Sequence, residues 1–387
     1  MSKLDEMIAE LCPDGVPYKP LGELGYFYGG LSGKSKDDFT NGNAKLITYM
    51  NVYSNLAIDT EISDMVKIGE NEKQNTVEYG DILFTGSSET PDECGISSVL
   101  TKETNEKLYL NSFCFGFRLI DKDLLLPDFS KYLFRSEEIR KQIKRTASGV
   151  TRFNVSKKKM EQVVIPLPPL PVQQEIVRIL DKFTELTAEL TAELTARRKQ
   201  YEYYRDLLLT FGDDVSWCNL DEILKIRNGK DYKSFNIGNI PVYGSGGIMT
   251  YIDTYAYDKP SVLIPRKGSI DKLYYVEKPF WTVDTIFYTE IYTSKVIPKY
   301  VFYCLQKERL EQYNTAGGVP SLTQTVLNKV KIPVPPLEEQ ERIVAILDRF
   351  DALCNDLTSG IPAEIEARQK QYEYYRDKLL SFKEVTG

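Results

Sequence analysis

Lysine, arginine, tyrosine and serine recur beside glycine in runs along the chain: Lys34-Ser35-Lys36, Tyr49-Met50-Asn51-Val52-Tyr53, Gly86-Ser87-Ser88, Lys230-Asp231-Tyr232-Lys233, Tyr243-Gly244-Ser245-Gly246-Gly247 and Arg266-Lys267-Gly268-Ser269. Such side chains hydrogen-bond to phosphate oxygens and base edges, and glycine lets the backbone approach a nucleic acid closely. Taken singly, each run is an ordinary turn. Their appearance at comparable places in the two halves of the chain is the signal.

Catalytic chemistry finds little support. The chain has no histidine, which excludes Ser-His-Asp and Cys-His nucleophile systems and every histidine-containing zinc site. Tyr28–Ser35, YGGLSGKS, imitates a phosphate-binding loop. That pattern needs glycine where Tyr28 stands, and Asp37 and Asp38 follow where a helix should open on phosphate. A basic loop touching DNA phosphate is the better reading. Neither the glycine-rich turn nor the Asn/Asp-Pro-Pro-aromatic loop of a methyltransferase occurs. Pro91-Asp92 could open a nuclease motif, but the nearest Asp-x-Lys, Asp231-Tyr232-Lys233, falls in another domain. Nothing in the acidic stretch 59–93 sets two carboxylates apart as a glycoside-cleaving pair.

A chain of 387 residues allows two to three domains. Its six cysteines are scattered without a Cys-x-x-Cys pair, which points to a reducing cytoplasm. No apolar run is long enough to span a membrane, and Met1–Gly15 lacks the pattern of a signal peptide. The net charge of −7 argues mildly against simple coating of nucleic acid. Charge is uneven, however: 59–93 holds ten acids against two bases, and 131–160 holds ten bases against two acids. A basic surface can therefore exist within an acidic chain.

The framework around these runs is duplicated. Ile165–Phe211 returns as Ile332–Phe382, with QYEYYRD at 200–206 and 371–377. The segments opening each globular region share Asp14/Asp213, Val16/Val215, Leu21/Leu220 and Glu23/Glu222. TASGV (146–150) and TAGGV (315–319) close them. This is a circular arrangement of two half-molecules related by a pseudo-two-fold, each a globular region of strands and turns plus a helix. Strands are expected at 45–51, 80–84, 97–101 and 113–120, and at 262–264, 274–276 and 285–288. Helices are expected at 129–145 and 299–313.

Proline at 166, 168, 169 and 171 places the start of the first long helix near 171. Positions 176, 180, 183, 187, 190, 194, 197, 201, 204 and 208 alternate by four and three, a coiled-coil seam. The distal copy follows the same rhythm at 343, 347, 350, 354, 357 and 361 until Gly360 and Pro362 end or kink it. Antiparallel packing of the two helices is the simplest arrangement.

These residues resemble the DNA-sequence-specificity subunit of type I restriction–modification enzymes. The carriers are the paired segments IPLPPLPVQQEIVRIL (165–180) and IPVPPLEEQERIVAIL (332–347), the QYEYYRD ends and the Thr-Ala-Glu-Leu tandem at 187–194. They also include GKSKDDFTNGNAKLITYMNV (33–52), GDILFTGSSET (80–90), IPVYGSGGIMTY (240–251) and SVLIPRKGSI (261–270). The resemblance implies an α/β (α+β) chain with target-recognition domains at 1–164 and 212–331. A proximal helix at 165–211 and a distal one at 332–387 would join them as an antiparallel pair. Each domain would read half of a bipartite site in double-stranded DNA, and two methyltransferase subunits would dock on the helices. Those partners would supply S-adenosylmethionine; restriction and translocase subunits would use ATP and Mg. The specificity chain itself would bind no cofactor or metal and would be non-catalytic and cytoplasmic.

In this reading the DNA contacts are Lys34, Ser35, Lys36, Tyr49, Asn51, Ser87, Ser88 and Arg152 in the first domain. In the second they are Lys230, Tyr232, Lys233, Tyr243, Ser245, Arg266, Lys267, Ser269, Ser321 and Gln324. Partner contacts fall on Gln174, Arg178, Tyr201, Tyr204 and Arg205, and on Gln340, Arg342, Tyr372, Tyr375 and Arg376. Two rival readings are a stand-alone DNA-binding adaptor or regulator and an enzyme working from the globular regions. The tandem Thr-Ala-Glu-Leu becomes a spacer between two readers.

Overall fold

The computed structural model describes residues 3–314, 317–356 and 359–385. Two compact units emerge: Met1–Glu189 with Glu366–Gly387, and Leu190–Ile365. The proximal helix, Leu170–Leu208, contributes its first half to one unit and its second half to the other.

The first unit opens with helix Lys3–Leu11, whose Leu4, Met7 and Ile8 pack into its core. The chain then turns at Gly15, where φ is +117° and a Cβ would lie 2.4 Å from the Lys383 carbonyl oxygen. That close approach requires glycine. The Val16 N–H donates to Lys383 O at 2.8 Å, and the Val385 N–H donates to Val16 O at 3.1 Å. Strand Tyr18–Pro20 pairs antiparallel with Val164–Pro166, delivering the chain to the proximal helix.

The main sheet of this unit runs Gly25–Gly29, Cys114–Leu119, Ile82–Thr85, Ser97–Val99, antiparallel throughout. Phe84 and Phe117 are fully buried in it, and helices Pro127–Leu133 and Glu137–Thr146 cover the core. A second sheet holds Met65–Val66, Ala44–Ile47, Leu108–Leu110 and Thr76–Val77, with Ala44–Ile47 and Leu108–Leu110 parallel.

The second unit repeats this plan. Trp217–Asn219 pairs with Lys331–Pro333. Its main sheet runs Leu224–Asn228, Ile286–Ile291, Ser261–Pro265, Tyr274–Val276, the same connectivity as the first. Its second sheet places Ile237–Gly244 parallel to Trp281–Thr282 and antiparallel to Gly247–Ile252. Tyr300 and Tyr303, fully buried, lie on helix Pro298–Lys307.

Several expectations need correction. The strand expected at 45–51 stops at Ile47, because Thr48 caps a helix, Tyr49–Ser54, by accepting from the Asn51 N–H at 3.3 Å. The helix expected at 129–145 is two helices, separated by extended Ser136, whose hydroxyl donates to Leu133 O at 2.7 Å. The helix expected at 299–313 closes at Lys307, and a short 3-10 turn follows Arg309, where φ is +46°. Tyr243–Gly247 is no simple loop: Gly244 pairs with Gly247 around a two-residue hairpin turn.

The proximal helix begins at Leu170, beside the expected start. In the first unit Ile176 and Leu180 are fully buried, and Phe183 stacks on Tyr375 at 5.4 Å. In the second unit Tyr201 is buried and Tyr204 stacks on Phe350 at 5.7 Å. Cys354 there feels the charges of Arg198 and Arg197, so residue numbers run in opposite directions along the two helices. Toward its end Arg205 and Leu209 are buried and Leu207 is exposed, while Tyr204 keeps its place against Phe350. The distal repeat breaks where expected: Leu337–Asn355 ends and Ile361–Leu379 begins, with Pro362 in its first turn. Seam position 357, and Thr315 and Ala316 of the second closing motif, lie outside the described residues.

Candidate nucleic-acid interface

In the first unit, four sequence-selected residues meet where the short strand Ser87–Ser88 leaves the main sheet. The Tyr49 hydroxyl donates to Ser87 O at 3.0 Å, and Arg152 Nε donates to Ser87 Oγ at 3.2 Å. The Ser88 hydroxyl donates to Glu93 at 3.0 Å, and the Tyr53 hydroxyl does so at 2.8 Å. The Tyr53 hydroxyl, then those of Thr90 and Ser88, hold the Glu93 carboxyl below its usual range. The Arg152 guanidinium lies 5.5 Å from the ring centre of Phe113, itself an exposed aromatic. Ser87 and Ser88 are themselves buried, so the groups this edge exposes are the Arg152 guanidinium and the Phe113 ring, with the half-buried, ionised Glu93 beside them as an acceptor.

Other selected residues of this unit have structural tasks. Asn51 is buried; its amide accepts from the Asp59 N–H at 3.0 Å and donates to Asp59 O at 2.8 Å. Lys34 is ion-paired with Glu72 at 2.6 Å and its side chain is only 8% exposed. The loop expected to reach phosphate is thus neutralised at its first lysine. Ser35 caps the turn Lys36–Phe39 through Asp38, while Lys36 is exposed.

The second unit builds the corresponding edge. Arg266 N–H donates to Thr285 O at 2.8 Å, and the Ser245 N–H donates to Thr285 Oγ1 at 3.3 Å. Lys267 bridges antiparallel to Ser321, and the Leu322 N–H donates to Arg266 O at 2.9 Å. Gln324 Nε2 donates to Ile226 O at 3.4 Å. Tyr274 donates its hydroxyl to Ser245 O at 3.2 Å, and its ring centre lies 5.9 Å from that of Tyr243. Ser269 follows Gly268, where φ is +82°. Tyr243, Ser245, Arg266, Lys267, Ser321 and Gln324 are thereby drawn into one neighbourhood.

Lys230, Tyr232 and Lys233 belong to a separate turn, in which the Asp231 carboxylate accepts from the Tyr232 and Lys233 N–H groups at 2.8 and 3.2 Å. Lys230 O accepts from Trp281 Nε1 at 2.9 Å, and Tyr232 packs on the small core of Val242, Ile252, Trp281 and Val283. Lys233 is exposed.

The two edges superpose in register. Gly86 N–H donates to Phe113 O as Arg266 N–H donates to Thr285 O, and Val155 N–H donates to Gly86 O as Leu322 N–H donates to Arg266 O. Ser87 therefore occupies the place of Lys267, and Ser156-Lys157 that of Thr323-Gln324. Sequence reasoning missed Lys157 and Phe113. The repeat itself carried the signal for Lys157, because Ser156 and Thr323 each cap a four-residue helix by accepting from the N–H three residues on.

The helix candidates divide by burial. Gln340 is fully buried and cannot be a docking contact; its amide accepts from the Ile297 N–H and donates to Lys295 O and Pro335 O. Tyr201 and Tyr372 are buried core residues, the former donating to Gln306 at 3.0 Å. Arg205 is buried against Asp206 and the Tyr201 ring, and Arg376 repeats that pairing with Asp377 and Tyr372. Gln174, Arg178 and Arg342 are exposed, the two arginines in ion pairs with Glu175 and Glu339. Tyr204 and Tyr375 turn inward onto Phe350 and Phe183. The outward tyrosines are Tyr203, 64% exposed, and Tyr374, 61% exposed.

Among the described residues no cluster of three or more Cys, Asp or Glu could hold a metal ion, and no helix is long and apolar enough to cross a membrane. The chain matches the sequence profile described as "Type I restriction modification DNA specificity domain" twice, over residues 13–197 and 213–367. It is 39% identical over 263 residues to the Escherichia coli "Type I restriction enzyme EcoR124I/EcoR124II specificity subunit", covering 59% of this chain and 65% of that one. A Haemophilus influenzae protein, named as the type I restriction enzyme specificity subunit S.HindORF215P, is 37% identical over 264 residues, covering 61% of this chain and 68% of that one. The match thus spans about two thirds of each relative's length.

Among solved structures, the type I restriction-modification system S subunit from M. genitalium aligns with a TM-score of 0.54 at 17% identity, over 95% of this chain and 96% of that one. A chain from a structure described as "complex assembly and conformational transition of the type I R-M system" aligns with a TM-score of 0.64 at 19% identity, over 95% and 97%. With both profile matches falling on the duplicated frame described above, the chain belongs to the type I restriction modification DNA specificity domain family.

Proposed function

We propose that this chain is the non-catalytic DNA-reading subunit of a type I restriction–modification complex, with each unit reading one half of a bipartite site in double-stranded DNA. The observation that carries the reading is the edge built twice in the same register and furnished differently: Ser87 with Tyr49 and Arg152 in one unit, Lys267 with Arg266 and Ser321 in the other. One scaffold with two sets of donors and acceptors suits two different half-sites.

The exposed faces of the long helices dock two methyltransferase subunits, which bring S-adenosylmethionine; restriction and translocase subunits bring ATP and Mg-dependent work. The complex operates in the cytoplasm, in keeping with six thiols that form no disulfide. Coexpression with a candidate methyltransferase tests this. A stable complex that methylates DNA only when this chain is present supports the reading; DNA binding with no methyltransferase complex would favour a stand-alone regulator.

A further inference from the structure

The same place beside the reading edge is occupied by a cation in both units, but the cation comes from different points in the chain. Phe115 pairs with Gly29 and Phe84 in the first main sheet, as Phe287 pairs with Asn228 and Ile264 in the second. Lys157 Nζ lies 5.9 Å from the Phe115 ring centre, and Arg266 Cζ lies 5.8 Å from that of Phe287. Both distances are within cation–π range. Lys157 is supplied by the short helix Lys157–Met160, after strand Phe153–Val155; Arg266 is supplied by the end of the sheet strand Ser261–Pro265.

Local sterics explain the exchange. In the first unit the place of Arg266 is taken by Gly86, where a Cβ would lie 2.6 Å from Phe113 O. A side chain is excluded there. Gly29 instead leaves room for a lysine from the other side, its virtual Cβ lying 3.5 Å from Lys157 Nζ. In the second unit Asn228 fills the Gly29 place, Gln324 replaces the lysine, and Arg266 provides the charge. Retaining a cation through two different routes indicates that the position matters more than the local sequence. Neither side chain has a carboxylate partner among the described residues, whereas Arg118, Arg178 and Arg227 are ion-paired.

We propose that Phe115 and Phe287 mark one equivalent phosphate anchor in each unit, with Lys157 and Arg266 each binding a backbone phosphodiester of duplex DNA. The aromatic ring fixes the cation at low entropic cost while leaving its charge for the phosphate. This rests on the DNA-reading function proposed above and adds a sequence-independent contact beside the residues that discriminate bases.

The test is anisotropy titration of the full chain, alone and with coexpressed modification subunits, against mixed-sequence duplex DNA over a range of salt concentrations. Lys157→Ala and Arg266→Ala should each flatten the dependence of log affinity on log salt by about one, and the double variant by about two. Lys157→Arg and Arg266→Lys should retain the slope, as should Lys370→Ala, which removes an exposed charge already paired with Glu366. Melting temperatures check that each variant is folded.

A relocation variant, Arg266→Gly with Gln324→Lys and Asn228→Gly, should recover the slope that Arg266→Gly loses. If the parent chain binds and either alanine variant keeps its slope, the anchor is wrong and the DNA-reading function stands. If the parent chain binds no duplex in either form, that function fails and the anchor fails with it.

Discussion

Gln173 and Gln340 make the same set of bonds in their respective units. The Gln173 amide accepts from the Leu126 N–H and donates to Leu124 O and Pro168 O. The Gln340 amide accepts from Ile297 and donates to Lys295 and Pro335. Each fully buried glutamine thus ties the start of a long helix to the loop before a globular helix. Replacement by leucine strands one N–H and two carbonyls in each case. Gln173→Leu and Gln340→Leu should each cost about 2–3 kcal/mol, read as a lower urea midpoint at unchanged slope.

The tyrosines of the duplicated QYEYYRD motif should separate into two functional classes. Tyr201→Ala and Tyr372→Ala remove buried rings and should destabilise the fold by about 3 kcal/mol or more. Tyr203→Ala and Tyr374→Ala remove exposed rings and should leave the melting temperature nearly unchanged while weakening copurification of the modification subunits. Loss of partner binding only in the buried pair would place the docking surface elsewhere.

That division shows what the sequence made legible. The repeat, the start of the proximal helix and the break at Gly360 followed from letters alone, because proline, glycine and a seven-residue rhythm act locally. The four-and-three seam sets Tyr201 and Tyr204 inward, and both pack there, but it does not foresee Arg205 buried beside Tyr201. Lys34 had the composition of a phosphate contact, but Glu72, distant in sequence, closes on it. Lys157 passed unnoticed because its importance depends on Gly29 and Phe115, brought beside it only by the sheet.

The Lys3–Glu175–Arg178 cluster gives the first unit a defined acid response. Arg178, then Lys3, hold the Glu175 carboxyl down to about 2. A lowered folded-state pKa stabilises the fold above the ordinary carboxylate range near pH 4.3, and that contribution is lost as pH falls toward 2. Both cations are more than half exposed, so screening limits the effect to roughly 1 kcal/mol or less. Glu175→Gln should therefore speed hydrogen exchange in helix Lys3–Leu11 at pH 7, with the difference from the parent shrinking as pH drops below 4.

The Thr-Ala-Glu-Leu tandem should act as a ruler. One unit adds about 6 Å and roughly 40° of helical rotation, against about 3.4 Å per base pair of duplex. Deleting Thr191–Leu194 should shorten the unread spacer of the methylated site and leave both half-site sequences intact. Altered half-sites with an unchanged spacer would refute the ruler.

In the proposed function, two units of one chain read two separated half-sites. Mapping every methylated base after coexpression with the modification subunit tests this division. A bipartite motif with an unread spacer is expected, in which Ser87 and Arg152 substitutions alter one half and Lys267 and Ser321 substitutions alter the other. A single undivided motif, or methylation that continues without this chain, would contradict it.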